Sequence, residues 1–370
     1  MLKRLFKRRD NAPADPRTNT LPAAALGTDV IAQQPGPPPQ SLDDLAASAS
    51  ANFIQLYGGL SINQMIEEWQ EVELSPEREP WAGFPPNEFL EFVRAYPRTP
   101  FDSIPSSPSY LKEPSFLLTQ AHRIWLTASL VHANCLKTGA RRFLDVGSFP
   151  FFVSLVLRDY FRFAGDVTVT TNIDLSPDGL AFLKGKGVRV AKLDLDPYVS
   201  APDSTAERLP TRLGEPDGSY DVILSSHVIE HLYHPMSLLR ECSRLLRSGG
   251  ELVITTDNAM MIDVFANYIG GYGYIFEPVE HTAAMHFDFW RGHVRFFTST
   301  DLQRMMHGAG LEPSDPQYFH CFYEILFPEY FKRPAPFTSK WKLKMLAQTP
   351  WLRNDVAIVA RKPKLPDADA

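Results

Sequence analysis

Cysteine is scarce and scattered: Cys135, Cys242 and Cys321 are the only three in 370 residues, and no two form a CxxC pair. That usage excludes a disulfide framework and a thiolate zinc site, and it suits a reducing cytoplasm. No run of about 18 apolar residues occurs, so no transmembrane segment is expected. Basic excess is also missing. A net charge of −6 argues against a surface organised throughout to hold nucleic acid. Three nucleotide-enzyme signatures are absent as well: the P-loop GxxxxGK(S/T), a GxGxxG after a strand, and any Tyr followed four residues later by Lys. A hydride-transfer enzyme and a P-loop enzyme are therefore disfavoured.

What is present is ordinary for a globular protein, with 44% apolar and 22% charged residues. The chain opens on MLKRLFKRRD and continues NAPADPR, where a secretory signal would need an apolar stretch. The basic start reads as a solubilising tail or as a weak contact with an anionic membrane surface. Residues 1–48 are expected to be a disordered basic and Pro/Ala-rich tail. Residues 49–112 read as a helical cap, with ANFIQLYGGLSINQMIEEWQEV and NEFLEFVRAY as its helices.

The main domain is expected over 113–363, followed by a short tail at 364–370. Its first helix is PSFLLTQAHRIWLTASLVHAN, residues 114–134. Strand and helix patterns then alternate. RRFLDVG, VTVTTNIDLS, VRVAKLDLD, SYDVILSS and ELVITTDN read as five apolar strands with helices between them. The helix after the fourth strand is expected to begin at HVIEHLYH and to stop at Gly249-Gly250. STDLQRMMHGAGLEP reads as a later helix capped by Ser299 or Thr300. QYFHCFYE and DVAIVARKP read as a late antiparallel hairpin. The fold class is therefore α/β: a doubly wound, mostly parallel sheet of seven strands, with lid-like insertions at 257–295 and 325–352.

In such a sheet, ligands bind at the carboxyl ends of the strands near the switch point. Acidic residues fall at those ends in succession: Asp145 on the first strand, Asp174 on the second, and Asp194 or Asp196 on the third. A lone strand-end carboxylate usually caps a helix, but three in order favour a cofactor containing adenosine.

The segments FLDVGS, TNIDLS, KLDLD, YDVILSSHVIEHL, LLRSGGELVITT and HVRFFTSTDLQRMMHGAGL resemble, in order and spacing, class I S-adenosylmethionine-dependent methyltransferases. The likeness is greatest to the small-molecule branch. It implies a Rossmann-like fold with S-adenosyl-L-methionine as cofactor. It implies that Asp145, Gly147 and Ser148 border the methionine portion, that Asp174 and Leu175 meet the ribose, and that Asp194 and Leu195 border the adenine. Ser225, Ser226 and His227 would line the other side. One departure stands out: where the family carries DxGxGxG, this chain reads DVGSFPFF, with Phe149 and Phe151 at glycine positions.

On the acceptor side, His227 and His231 are candidates for a general base, with His234 on the same face. Packing or capping is the alternative for each. Tyr272, Tyr274, His281, His286, Trp290, His293 and Arg295 are candidates for the acceptor wall. A metal held by His281, Asp288 and His293 is the weaker alternative to lid packing, so no metal is expected. The expectation is a cytoplasmic methyltransferase that acts on a small-molecule or glycan-like acceptor, at oxygen. The alternative is a catalytically silent methyltransferase-like module with a degenerate cofactor loop. The sequence leaves the oligomeric state open.

Overall fold

The computed structural model describes residues 71–74, 77–102, 116–196, 212–264, 292–327 and 337–364. All of them lie in the compact unit Ser61–Ala370. The tail expected at 1–48, residues 51–70 of the first helix of the expected cap and most of the 257–295 insertion lie outside the described residues, and the last two residues of that helix, Glu71 and Val72, belong instead to a strand, Glu71–Glu73.

The main sheet has the order β4-β3-β2-β5-β6-β10-β7. Its parallel strands are β2 (Arg142–Val146), β3 (Asp166–Thr171), β4 (Val188–Lys192), β5 (Tyr220–Ser226) and β6 (Leu246–Asp257). β10 (Asp355–Arg361) runs antiparallel to β6, and two short strands, β7 (Glu312–Pro313) and β8 (Gln317–Phe319), both pair with it. The sheet thus has eight strands instead of seven, because two short pieces separated by residues 314–316 take the place of one edge strand. The chain enters at β2 in the middle, winds outward to β4, and returns to β5. The switch point therefore lies between β2 and β5.

The helices of this fold, in chain order, are α1 (Asn87–Ala95), α2 (Phe116–Thr119), α3 (Ala121–Thr138), α4 (Phe152–Asp159) and α5 (Pro177–Gly185). They continue with α6 (Pro235–Leu245), α7 (Ser299–Gly308), α8 (Tyr323–Leu326) and α9 (Lys340–Gln348). Both faces of the sheet are covered, which is why its strands read as continuous apolar runs. Phe143, Val222 and Leu224 face one core with Ile124, Ala128 and Leu155. Leu144, Val146 and Ile223 face the other with Leu238, Leu239 and Met306. Among the described residues, no helix is long and apolar enough to cross a membrane.

Several local expectations shift. The helix expected at HVIEHLYH is a single 3-10 turn, Ile229–His231, and α6 begins only at Pro235. His227 has φ +51°, which takes the backbone out of the helical region immediately after β5. α6 ends at Leu245, and Gly249-Gly250 lie within β6 instead of stopping a helix. There the β5–β6 register shifts between Tyr220 and Val222, and a Cβ on Gly250 would lie 2.9 Å from the Asp221 carbonyl. A glycine is what such a bulge needs. Helix 114–134 is divided at Gln120 into α2 and α3, and α3 runs on to Thr138. The third strand stops at Lys192, short of the expected 196. The cap of α7 is Thr298, one residue before the expected pair, in a capping box with Asp301.

The insertion at 325–352 has its own structure. Its β9 (Phe337–Ser339) pairs antiparallel with β1 (Glu71–Glu73), tying the late insertion to the segment that precedes the sheet.

Candidate active site

The first element of the site is the loop from β2 into α4. Asp145, near the end of β2, is buried and accepts a hydrogen bond from Ser154 Oγ at 2.7 Å. Burial pushes its carboxyl up to about 7, although the Ser154 hydrogen bond pulls the other way. Gly147 then turns with φ +69°. A Cβ there would lie 2.9 Å from both methyls of Val228, so the position admits only glycine without a shift of its neighbours. The Gly147 N–H donates to Thr170 Oγ1 at 3.0 Å, and the Ser148 N–H to the Thr170 carbonyl at 3.1 Å, which ties the loop to β3.

The two phenylalanines at glycine positions have separate fates. Phe151 adopts φ +73°, the left-handed conformation for which a glycine would be the ordinary choice. Its ring is fully buried against Phe101, with centroids 4.9 Å apart. Phe149 packs edge-on to Phe151, with centroids 5.6 Å apart, and together with Pro150 lines a cavity of about 50 Å³. Arg123, Asp145, Ser148 and Ser226 contribute the cavity's polar wall. The cavity has room for a group the size of a few waters.

At the ends of the next strands, the carboxylates are held differently. Asp174, three residues past β3, is 90% exposed and meets Lys192 Nζ at 2.6 Å. Leu175 beside it is half-buried. Asp194 accepts the Asp196 N–H at 2.9 Å, and Leu195 is buried beside Gly147. Asp196, the other candidate for this strand end, is buried. It accepts the Tyr233 N–H at 2.6 Å and meets His234 Nδ1 at 2.9 Å, so its carboxylate organises the turn before α6.

β5 ends on Ser225 and Ser226, and His227 follows directly. Ser225 is fully buried, and its hydroxyl has no hydrogen-bond partner among the described residues. Ser226 accepts from Thr255 Oγ1 at 2.9 Å. His227 sits among three acids: its Nδ1 is 3.2 Å from Glu230 and 3.9 Å from Asp257, and its Nε2 is 3.1 Å from Asp355. Asp257 and Asp355 face each other directly across the β6–β10 pairing, an arrangement that would be repulsive without a cation between them. Burial and the Arg123 guanidinium would lower the imidazole's affinity for a proton. Contacts with Asp355 and Glu230 outweigh them and carry it up to about 9. Burial pushes Asp257 up to about 7 against the pull of His227. Glu230 falls to about 2, because the His227 contact overcomes its burial.

Residues 133–314 match a protein-family model described as "Methyltransferase domain". The chain carries a class I S-adenosylmethionine-dependent methyltransferase domain. It is 30% identical over 100 residues to a Mycolicibacterium smegmatis protein named "Probable S-adenosylmethionine-dependent methyltransferase", a match covering 27% of this chain and 32% of that one. It is 29% identical over 123 residues to the Ubiquinone biosynthesis O-methyltransferase of Xanthomonas oryzae pv. oryzae, covering 33% of this chain and 46% of that one. The chain thus spans about a third to about a half of the length of these curated relatives. A solved S-adenosylmethionine-dependent methyltransferase from Mesorhizobium loti overlays 63% of this chain and 96% of its own, at TM-score 0.40 and 17% identity.

In this methyltransferase domain, Asp145, Gly147, Ser148, Asp174, Leu175, Asp194, Leu195, Ser225 and Ser226 all lie at or just past the carboxyl ends of β2 to β5. His231, expected one helical turn from His227, lies instead on the 3-10 turn, where its Nδ1 donates to the Gly292 carbonyl at 2.6 Å. Of the acceptor-wall candidates, Tyr272, Tyr274, His281, His286 and Trp290 lie outside the described residues, as does Asp288. His293 meets Asp257 at 3.3 Å through Nδ1. Arg295 is exposed and donates to the Tyr233 carbonyl at 3.3 Å. Sequence reading missed Arg123, Glu230, Asp257 and Asp355. Glu230 could have been noticed three residues after His227. Asp355 reaches His227 only through the antiparallel insertion of β10, which no local spacing announces.

Proposed function

We propose that the chain transfers the methyl group of S-adenosylmethionine to a hydroxyl of a small-molecule or glycan-like acceptor. The observation that carries this reading is the row of Asp145, Asp174 and Asp194 past β2, β3 and β4, beside the switch point. The residues present fit the cofactor. The cavity wall holds one guanidinium, Arg123, and one carboxylate, Asp145, which suits a zwitterionic amino-acid head. The exposed Asp174 carboxylate can accept both hydroxyls of a ribose, and Leu195 offers an apolar edge for adenine. Across from it, at the carboxyl end of β5, the Ser225 hydroxyl, which has no partner among the described residues, is a further donor.

When bound, the cofactor supplies an electrophilic methyl group on a sulfonium. The chain's contribution is then to hold the acceptor oxygen in line and to exclude water, since methyl transfer depends chiefly on positioning. His227 already holds a proton at neutral pH and is enclosed by carboxylates, so we assign it as a positioning imidazolium and not as the base. His231, anchored to Gly292, is likewise not a free base. The O-methyltransferase name of the Xanthomonas relative supports oxygen as the methylated atom. The silent-module reading rests on DVGSFPFF, but Phe151 turns its ring into the core and a cavity persists beside the loop, which favours an open site.

The test is transfer of radiolabelled methyl from S-adenosylmethionine to a panel of catechols, phenols and sugars. Transfer lost in Asp174→Ala supports the reading; no transfer to any class by a chain that binds the cofactor would move the choice to the silent module. Asp145 adds a pH signature. If its ionised form holds the cofactor's ammonium, affinity for S-adenosylhomocysteine is constant above about pH 8. Below the carboxyl's value of about 7 it weakens, approaching tenfold per unit. Calorimetry between pH 5.5 and 8.5 checks this, and a flat profile contradicts it.

A further inference from the structure

We infer that Glu230, His231 and His293 form a site for a divalent transition-metal ion. One carboxylate oxygen of Glu230 and one ring nitrogen from each histidine lie within 4.8 Å of one another. Ligands at about 2.0–2.2 Å from a shared ion stand roughly 3–4 Å apart, so small side-chain adjustments close the site. The backbone is already set for it. Val294 and Arg295 donate their N–H groups to the Glu230 carbonyl at 2.8 and 3.3 Å, pinning the segment that carries His293 against the 3-10 turn that carries the other two.

Glu230 is fully buried; its Oε1 faces His227 Nδ1 at 3.2 Å, while its Oε2 accepts from Thr256 Oγ1 at 2.8 Å. The residues around the three also have the pattern of a metal's outer shell. His231 donates Nδ1–H to the Gly292 carbonyl, and Asp257 stands 3.3 Å from His293 Nδ1. Ligating histidines are oriented by carbonyl and carboxylate partners of this kind.

A neighbouring trio, His227, Asp257 and Asp355, is equally close together. There the protonated imidazole itself supplies the cation between the two aspartates, so no ion is needed. Two imidazoles and one carboxylate select zinc, iron(II), cobalt(II) or nickel(II) over magnesium and calcium, which prefer oxygen ligands. A three-ligand site leaves positions for water or for an acceptor hydroxyl, whose proton becomes more acidic on coordination. That last role rests on the hydroxyl-acceptor reading above. Metal binding itself does not.

The experiment uses the tag-free full chain, stripped with a chelator and titrated with cobalt(II), with visible absorption and bound metal read together. About one cobalt per chain with a visible band is expected. His293→Ala, at a side chain 32% exposed where the fold should tolerate the change, is expected to weaken binding by at least about a hundredfold, and Glu230→Gln by at least about tenfold. Asp174→Ala is the control: it should keep the cobalt band while losing S-adenosylhomocysteine, so the two readings fail separately. A folded chain that takes up no cobalt would overturn the site. So would binding unchanged in His293→Ala, or lost only in His227→Gln.

Discussion

Gly147→Ala is expected to lower unfolding stability by about 3 kcal/mol and to remove measurable binding of S-adenosylhomocysteine. Two effects add. The position has φ +69°, which costs an L-residue about 1–2 kcal/mol. The new methyl would also lie 2.9 Å from both Val228 methyls and 3.1 Å from Leu195 Cδ1, overpacking worth about 1–3 kcal/mol. Relief requires Val228 or Leu195 to move. Leu195 lies on the proposed adenine side, and Val228 stands two residues past the end of β5, so relaxation reshapes the site whichever gives way. Urea unfolding alongside calorimetry reads both effects. A variant with wild-type stability and affinity would show that the loop is not held as tightly as described.

Asp174→Ala should separate the two effects that Gly147→Ala combines. Its carboxylate is 90% exposed, and its single ion pair, with Lys192, is also exposed, so little stability depends on it. The melting temperature is expected to stay within a degree or so of wild type. Binding should fall by about a hundredfold or more, because two hydrogen bonds from ribose hydroxyls to a charged acceptor are lost together. Unchanged affinity would place the ribose elsewhere. A large loss of stability would mean that the carboxylate has a structural role that its exposure conceals.

The sheet was legible because both of its faces are buried: continuous apolar runs such as FLDV and DVILS have no other use in a chain of this composition. The acids near the strand ends stand out for the same reason: Asp145 is the one charged residue in the apolar run FLDV, and Asp174 and Asp194 follow the runs of β3 and β4 by two or three residues. The turn after β5 was misread as helix because HVIEHLYH has helical spacing, while the positive φ at His227 comes from tertiary contacts: its N–H donates to the Thr255 carbonyl, and its ring is drawn in among three carboxylates. The late strand could be seen, but its register could not. That register places Asp355 opposite Asp257 and so creates the buried charge cluster. The glycine-poor loop is visible in the sequence itself. Where Phe151 would go depended on Phe101, some fifty residues away, which nothing local identifies.

The central claim is that a working cofactor site lies behind the DVGSFPFF loop. Calorimetric titration of the purified full chain with S-adenosylhomocysteine at pH 8 tests it most directly. One saturable site per chain is expected, with a dissociation constant on the order of micromolar, about −8 kcal/mol of binding free energy. A folded chain that shows no heat of binding up to millimolar ligand would contradict it, and the loop would then have closed the site.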